Sequence, residues 1–137
     1  MAVGGVTEEQ REALLAAACE VRGNAYAPYS HYKVGAAVLG EDGQIYTGVN
    51  VENATYGLTI CAERTAVFNA VTAGQKRIVA AAVCTENAGS PCGACRQILV
   101  EFGGNIPVWI TNLRGESRQS TTFELLPDHF GPEHLNI

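Results

Sequence analysis

At 137 residues, the chain is sized for one domain, spanning 1–137, and can bury a core without disulfide staples. A hydrophobic share of 47% against 17% charged residues excludes a disordered chain. With a net charge of −5 and its nine Lys and Arg scattered, the sequence offers no surface that would track phosphates, which argues against nucleic acid as a partner. The opening MAVGGVTEEQ has no secretory pattern, and no apolar run is long enough for a bilayer, so no membrane partner is expected. Five Cys in such a chain point to a reducing, cytoplasmic setting, with thiols kept for metal or catalysis.

Thr7 with Gln10 forms a capping-box pattern, and Leu14, Leu15, Ala18, Val21 and Ala25 then recur at helical spacing. This predicts a first helix running to about Tyr26, ended by YAPYS, because Pro28 disfavours helix at the residue before it. VGAAVLG and QIYTGVN flank the turn signal EDG and read as a β-hairpin, and NATYGLT reads as a loop. CAERTAVFNAVTAG has helical period, with Gly74 as its closing residue. RIVAAAVCT is a continuous apolar run, the pattern of a strand buried on both faces. PCGACRQILVEFGG predicts a helix between Pro91 and the paired Gly. IPVWIT is a further buried strand, NLRGES a turn and TFELLP a short closing helix. Strands alternating with helices in the second half imply that part of the sheet is parallel.

Three of the thiols fall at helix starts: Cys61 before one helix, Cys92 and Cys95 at the next. An i, i+3 pair shares a helix face, so Cys92 and Cys95 can reach one ion. A helix N-terminus favours the thiolate, which is the form that binds zinc. Three thiolates leave one tetrahedral position open, the mark of a catalytic rather than a structural site. Glu63, two residues past Cys61, is poised to point into the space beside that position and to move protons there. The competing reading is a structural zinc site completed by Cys84 or a His, but it leaves Glu63 without a role. Cys19 and Cys84 read as small buried hydrophobes, and His31, His129 and His134 show no metal spacing. Arg64, and Arg96 one residue after Cys95, would offset the negative charge of three thiolates.

C-x-E followed by P-C-x-x-C resembles the pattern of the zinc-dependent base deaminases. With YAPYS, VGAAVL, GVNVENATYG, CAERTA, PCGACRQ, ITNLRG and ELLPDHF, the sequence resembles the small homotetrameric cytidine deaminases along nearly its whole length. The resemblance implies a three-layer α/β/α sandwich around a mixed sheet of about five strands. It also implies one zinc per chain on Cys61, Cys92 and Cys95, with Glu63 as the proton shuttle and Arg64 bonding the thiolates. Asn50 and Glu52 match residues that hold the ribose 3′-hydroxyl. Tyr32 and Ala62 fall at substrate-contacting positions, and Tyr56 and Phe130 at positions that reach a neighbouring subunit's site. The implied activity is hydrolytic deamination of cytidine and deoxycytidine to uridine and deoxyuridine with release of ammonia, a pyrimidine-salvage reaction, in a homotetramer with shared sites and a free pyrimidine nucleoside as partner. Two departures qualify this. Tyr32 stands where the family usually has Phe, and the loop CTENAGSPC is short. A short loop beside the zinc helix implies room for substituents at C4, so the alternative is a deaminase with relaxed specificity for C4-substituted pyrimidine nucleosides or a nucleoside antibiotic.

Overall fold

The computed structural model describes residues 5–135. Thr7 caps α1 (Glu8–Val21): its hydroxyl accepts from the Gln10 N–H, and the Gln10 side chain accepts from the Thr7 N–H. The helix stops five residues short of the sequence expectation. Arg22–Asn24 tighten into a 3₁₀ turn, and Ala25 is extended. Gly23 and Asn24 are weak helix formers, and Tyr26 gains sheet-like pairing instead. Its N–H donates to the Asn50 carbonyl at 3.0 Å, and its carbonyl accepts from the Glu52 N–H at 2.9 Å. The chain before the first strand is thereby tied to the segment that carries two of the candidate site residues.

The hairpin forms as β1 (Gly35–Gly40) and β2 (Ile45–Val49), with Gly43 at a positive φ of 80° in the turn. α2 (Ala62–Thr72), β3 (Ile78–Cys84), α3 (Gly93–Gly103) and β4 (Pro107–Thr111) follow, then β5 (Ser117–Thr121) and the short α4 (Thr122–Leu125). The five-stranded sheet runs β2-β1-β3-β4-β5, with β3 and β4 parallel and the other neighbours antiparallel. β5 is absent from the element-by-element sequence reading. Its residues, SRQST, carry no apolar alternation, because an edge strand packs only one side and this one is mostly exposed.

Alternation along the strands divides the core into two layers. Ala36 and Val38 of β1, Ala81 of β3, and Val108 and Ile110 of β4 pack with Ala62, Ala66, Val67 and Ala70 of α2 and Leu99 of α3. Ala37 and Leu39, Ala80, Ala82 and Cys84, and Trp109 face the other way, onto Leu14 and Ala18 of α1. The result is an α/β/α sandwich around a mixed sheet, as the sequence implied. Small residues let the layers approach closely: a Cβ at Gly48 would collide with the backbone of α2 at Ala66. Because β1 pairs antiparallel with β3, Gly35 opposite Cys84, the chain entering β1 lies beside the chain leaving β3. Both run into the cavity described next.

Candidate active site and metal centre

A cavity of about 320 Å³ opens where β3 ends and α2 begins, lined among others by Tyr32, Asn50, Glu52, Cys61, Glu63 and Cys92. Cys61 is the N-cap residue of α2 and Cys92 that of α3. Cys92 Sγ lies 3.8 Å from Cys61 Sγ and 3.3 Å from Cys95 Sγ. All three sulfur atoms lie within 4.8 Å of one another, the only such group among the described residues. The donor set fits zinc: soft thiolates, at two helix N-termini, close enough to share one ion. Cys84 is not a fourth ligand, because it faces α1 on the opposite side of the sheet. No His joins the group. Among the described residues, three thiols thus converge with no fourth His, Cys, Asp or Glu donor grouped with them.

A hydrogen bond from the Cys95 thiol, opposed by burial and assisted by Arg64, holds the Cys61 thiol down at about 5. The same hydrogen bond and burial push the Cys95 thiol up. Arg64 Nη2 donates to Cys61 Sγ at 3.4 Å, one turn along α2. Its Nε is buried without a partner, so the guanidinium's bonded end is the one turned to the thiol. Arg96 takes a different part from the one expected of it. It donates to the carbonyls of Pro91 (2.7 Å) and Leu125 (2.6 Å) and to Ser90 Oγ (2.8 Å), and so braces the metal-bearing loop rather than a sulfur.

Glu63, in the first turn of α2, is 6% exposed and lines the cavity. Burial pushes its carboxyl up to about 7. The group can thus exist on either side of a proton transfer near neutral pH, which is what a shuttle requires.

Asn50 is buried and spends its amide on the chain entering β1: Oδ1 accepts from the Val34 N–H at 2.9 Å, and Nδ2 donates to the Tyr32 carbonyl at 2.8 Å. Glu52 accepts from the Tyr29 N–H (2.9 Å), the Ser30 N–H (3.1 Å) and the Ser30 hydroxyl. The Ser30 hydroxyl, opposed by burial and helped by those amides, holds the carboxyl below the usual range. Ala62 is fully buried on the cavity floor.

Two predicted residues are not brought into this chain's cavity. Tyr56, 76% exposed, lines a shallower adjoining hollow with Tyr29, Ser30 and Glu52. Phe130, 58% exposed, stacks on His134, while its carbonyl accepts from Gln97 Nε2 at 2.8 Å. Sequence reasoning missed Ser30, Thr85 and the bracing role of Arg96. Ser30 sits inside the quoted YAPYS, but nothing local there signals a partner 22 residues away.

The family model for the cytidine and deoxycytidylate deaminase zinc-binding region matches residues 8–111. The chain is 49% identical over 128 residues to a cytidine deaminase of Sporosarcina psychrophila, covering 91% of this chain and 94% of that one. It is 46% identical over 129 residues to a cytidine deaminase of Halalkalibacterium halodurans, covering 92% and 98%. Among solved structures, the cytidine deaminase of Burkholderia pseudomallei superposes with a TM-score of 0.83 at 49% identity, covering 87% of this chain and 98% of that one.

Proposed function

Because the chain belongs to the cytidine and deoxycytidylate deaminase zinc-binding family, we propose that it hydrolyses cytidine and deoxycytidine to uridine and deoxyuridine with release of ammonia, through its single domain. The observation that carries this is a buried carboxyl, Glu63, at the floor of a nucleoside-sized cavity beside three convergent thiols that no fourth protein ligand closes.

Cys61, Cys92 and Cys95 would hold the zinc, which when bound would supply Lewis-acid activation of water. The chain's own residues do the rest. Glu63 protonates N3 of the base and takes a proton from water as its oxygen adds at C4. The carboxylic acid then delivers that proton to the exocyclic nitrogen, and the carboxylate left behind takes the C4 hydroxyl proton as the C4–N bond breaks and the C4 carbonyl forms, so that ammonia leaves and Glu63 is again protonated. One group serves as base and as acid, which suits a carboxyl that is not itself a ligand. Arg64 draws charge from the Cys61 sulfur and so limits the negative excess of a three-thiolate site.

Asn50 and Glu52 hold the ribose: Glu52 is ionised and already oriented by Ser30, which suits a sugar hydroxyl and repels a phosphate. No Lys or Arg lines the cavity, which favours a free nucleoside over a nucleotide. Tyr32 and Ala62 flank the base. The exposure of Tyr56 and Phe130 supports a homotetramer in which each reaches a neighbour's site. An isolated cavity open to water would weaken the electrostatics of the addition step. Among the described residues no helix is long and apolar enough to cross a membrane, and five free Cys suit a reducing cytoplasm. Loss of cytidine turnover in Glu63→Gln, at unchanged zinc content, is the test developed in the Discussion.

A further inference from the structure

The loop between β3 and α3 forms the cavity wall nearest the metal thiols, through Thr85, Gly89, Ser90 and Cys92. It is short, yet it is fastened along its length. Thr85 Oγ1 accepts from the Gly89 N–H at 2.7 Å. Arg118 Nη1 donates to the Ala88 carbonyl at 3.1 Å, where Ala88 holds a positive φ of 58°. Arg96 holds Ser90 and Pro91. One fastening joins the loop to the opposite wall: the Tyr32 hydroxyl donates to Asn87 Oδ1 at 2.7 Å. Tyr32 lies so close to the loop that a methyl group added at Gly89 would collide with its hydroxyl oxygen. The gap between the Tyr32 hydroxyl and the Gly89 backbone therefore has no room for a methyl group at Gly89.

We propose that the Tyr32–Asn87 hydrogen bond is a latch that closes the cavity wall beside the exocyclic nitrogen and makes the enzyme discriminate against N4-substituted cytidines. The inference rests on the deaminase reading of the same site. In that reading the leaving nitrogen must lie at the metal end, next to Glu63 and Cys92, and any carbon on it points at the wall formed by Gly89, Ser90 and Tyr32. A phenylalanine ring at position 32 would have no partner on the loop and could swing aside. The hydroxyl prevents this, because moving the ring breaks its bond to Asn87. The shortness of the loop thus does not open the site at this wall. Asn87 touches no reacting atom and acts as a positioning residue. The other fastenings do not involve it, so the loop keeps its path when Asn87 is changed.

The test uses the zinc-loaded full chain and compares cytidine with N4-methylcytidine, which would release methylamine. The wild type should favour cytidine strongly. Tyr32→Phe and Asn87→Ala should each raise the ratio of kcat/KM for N4-methylcytidine to that for cytidine by about two- to fivefold, the scale of one solvent-accessible hydrogen bond. The double variant should gain no more than either single one, because both remove the same bond. Asn87→Asp keeps an acceptor oxygen and should retain the wild-type ratio. Calorimetric binding of both nucleosides in a Glu63→Gln background should show the same ordering without turnover. An unchanged ratio in Asn87→Ala, or additive gains in the double variant, overturns the latch. A wild type that turns over neither nucleoside overturns the deaminase reading instead, and unchanged binding discrimination in Asn87→Ala overturns the latch alone.

Discussion

Replacing Glu63 by Gln removes a proton-transfer group while preserving its shape. The side chain is 6% exposed, and the amide fills the same volume without a charge, so folding should survive. The metal thiols are untouched, so zinc should stay near one per chain. The loss should fall on chemistry. General acid–base catalysis by one positioned group is commonly worth ~10²–10⁴, or about 3–5 kcal/mol of barrier. Glu63 acts at both the addition and the departure, which places the expected loss of kcat at or above ~10⁴. The cavity offers no replacement. Its other carboxylate, Glu52, is held by Ser30 and Tyr29. The assay is the fall in ultraviolet absorbance as cytidine becomes uridine, run beside zinc determination and a melting curve. A variant with wild-type zinc and melting temperature that keeps more than about a tenth of its turnover would show that another group carries the proton, and the assignment of Glu63 would fall.

Serine at Cys61, Cys92 or Cys95 should lower zinc content and activity together; full zinc occupancy in all three single variants, read by elemental analysis, would contradict the three-thiolate centre. Cytidine 5′-monophosphate should react at least about tenfold less efficiently than cytidine, since a dianion would enter a cavity lined by Glu52 and Glu63 and, among the described residues, by no Lys or Arg; Glu52→Ala should raise KM for cytidine steeply, and equal rates on nucleoside and nucleotide would refute both arguments. The folded-state pKa of Glu52 is depressed, so its bonds to Ser30 and Tyr29 add stability that is present above the unfolded value and lost as pH falls through the lowered folded value. Ser30→Ala removes the largest cause of that shift and should move the acid limb of a pH–KM profile for cytidine upward; an unmoved limb would mean that Glu52 is not the group seen there. Sedimentation should give about four times 14.5 kDa, and mixed tetramers of inactive Glu63→Gln and inactive Phe130→Ala chains should regain partial activity; none regained in verified mixed tetramers would count against shared sites.

The convergence of three thiols beside Glu63 was legible because it is set locally. Cys61 and Cys92 are N-caps, Cys95 lies one turn inside α3, and Glu63 lies two residues past Cys61. Helix starts can be read from caps and prolines, and an i, i+3 pair fixes a face, so sequence spacing alone brings the two thiols of α3 together. Which residue supports which depends instead on strand register, which the sequence shows only as apolar alternation. Arg96 stands beside a metal ligand yet serves carbonyls on two segments, because its fourth neighbour along the helix is not what faces it; the α4 end, Leu125, is. α1 falls short of Tyr26 for a similar reason. Its helical pattern continues, but a bridge to residues 50–52 competes for the same backbone.

Position 32 shows how far this limit reaches into specificity. From the sequence, a Tyr in place of Phe and a short loop before Cys92 are two independent departures, and the loop taken alone implies a roomier site at C4. The antiparallel pairing of β1 with β3 sets Gly35 opposite Cys84, three residues after Tyr32 and three before Asn87. The two departures therefore meet at one wall of the cavity, and one supplies the donor that the other accepts. In the latch proposed above they act as a pair: the Tyr32 hydroxyl fastens the wall that the short loop forms. Relatives with Phe at this position should then need a different contact to hold the same wall, and grafting Tyr there without an acceptor at the position of Asn87 should gain no discrimination against N4-methylcytidine.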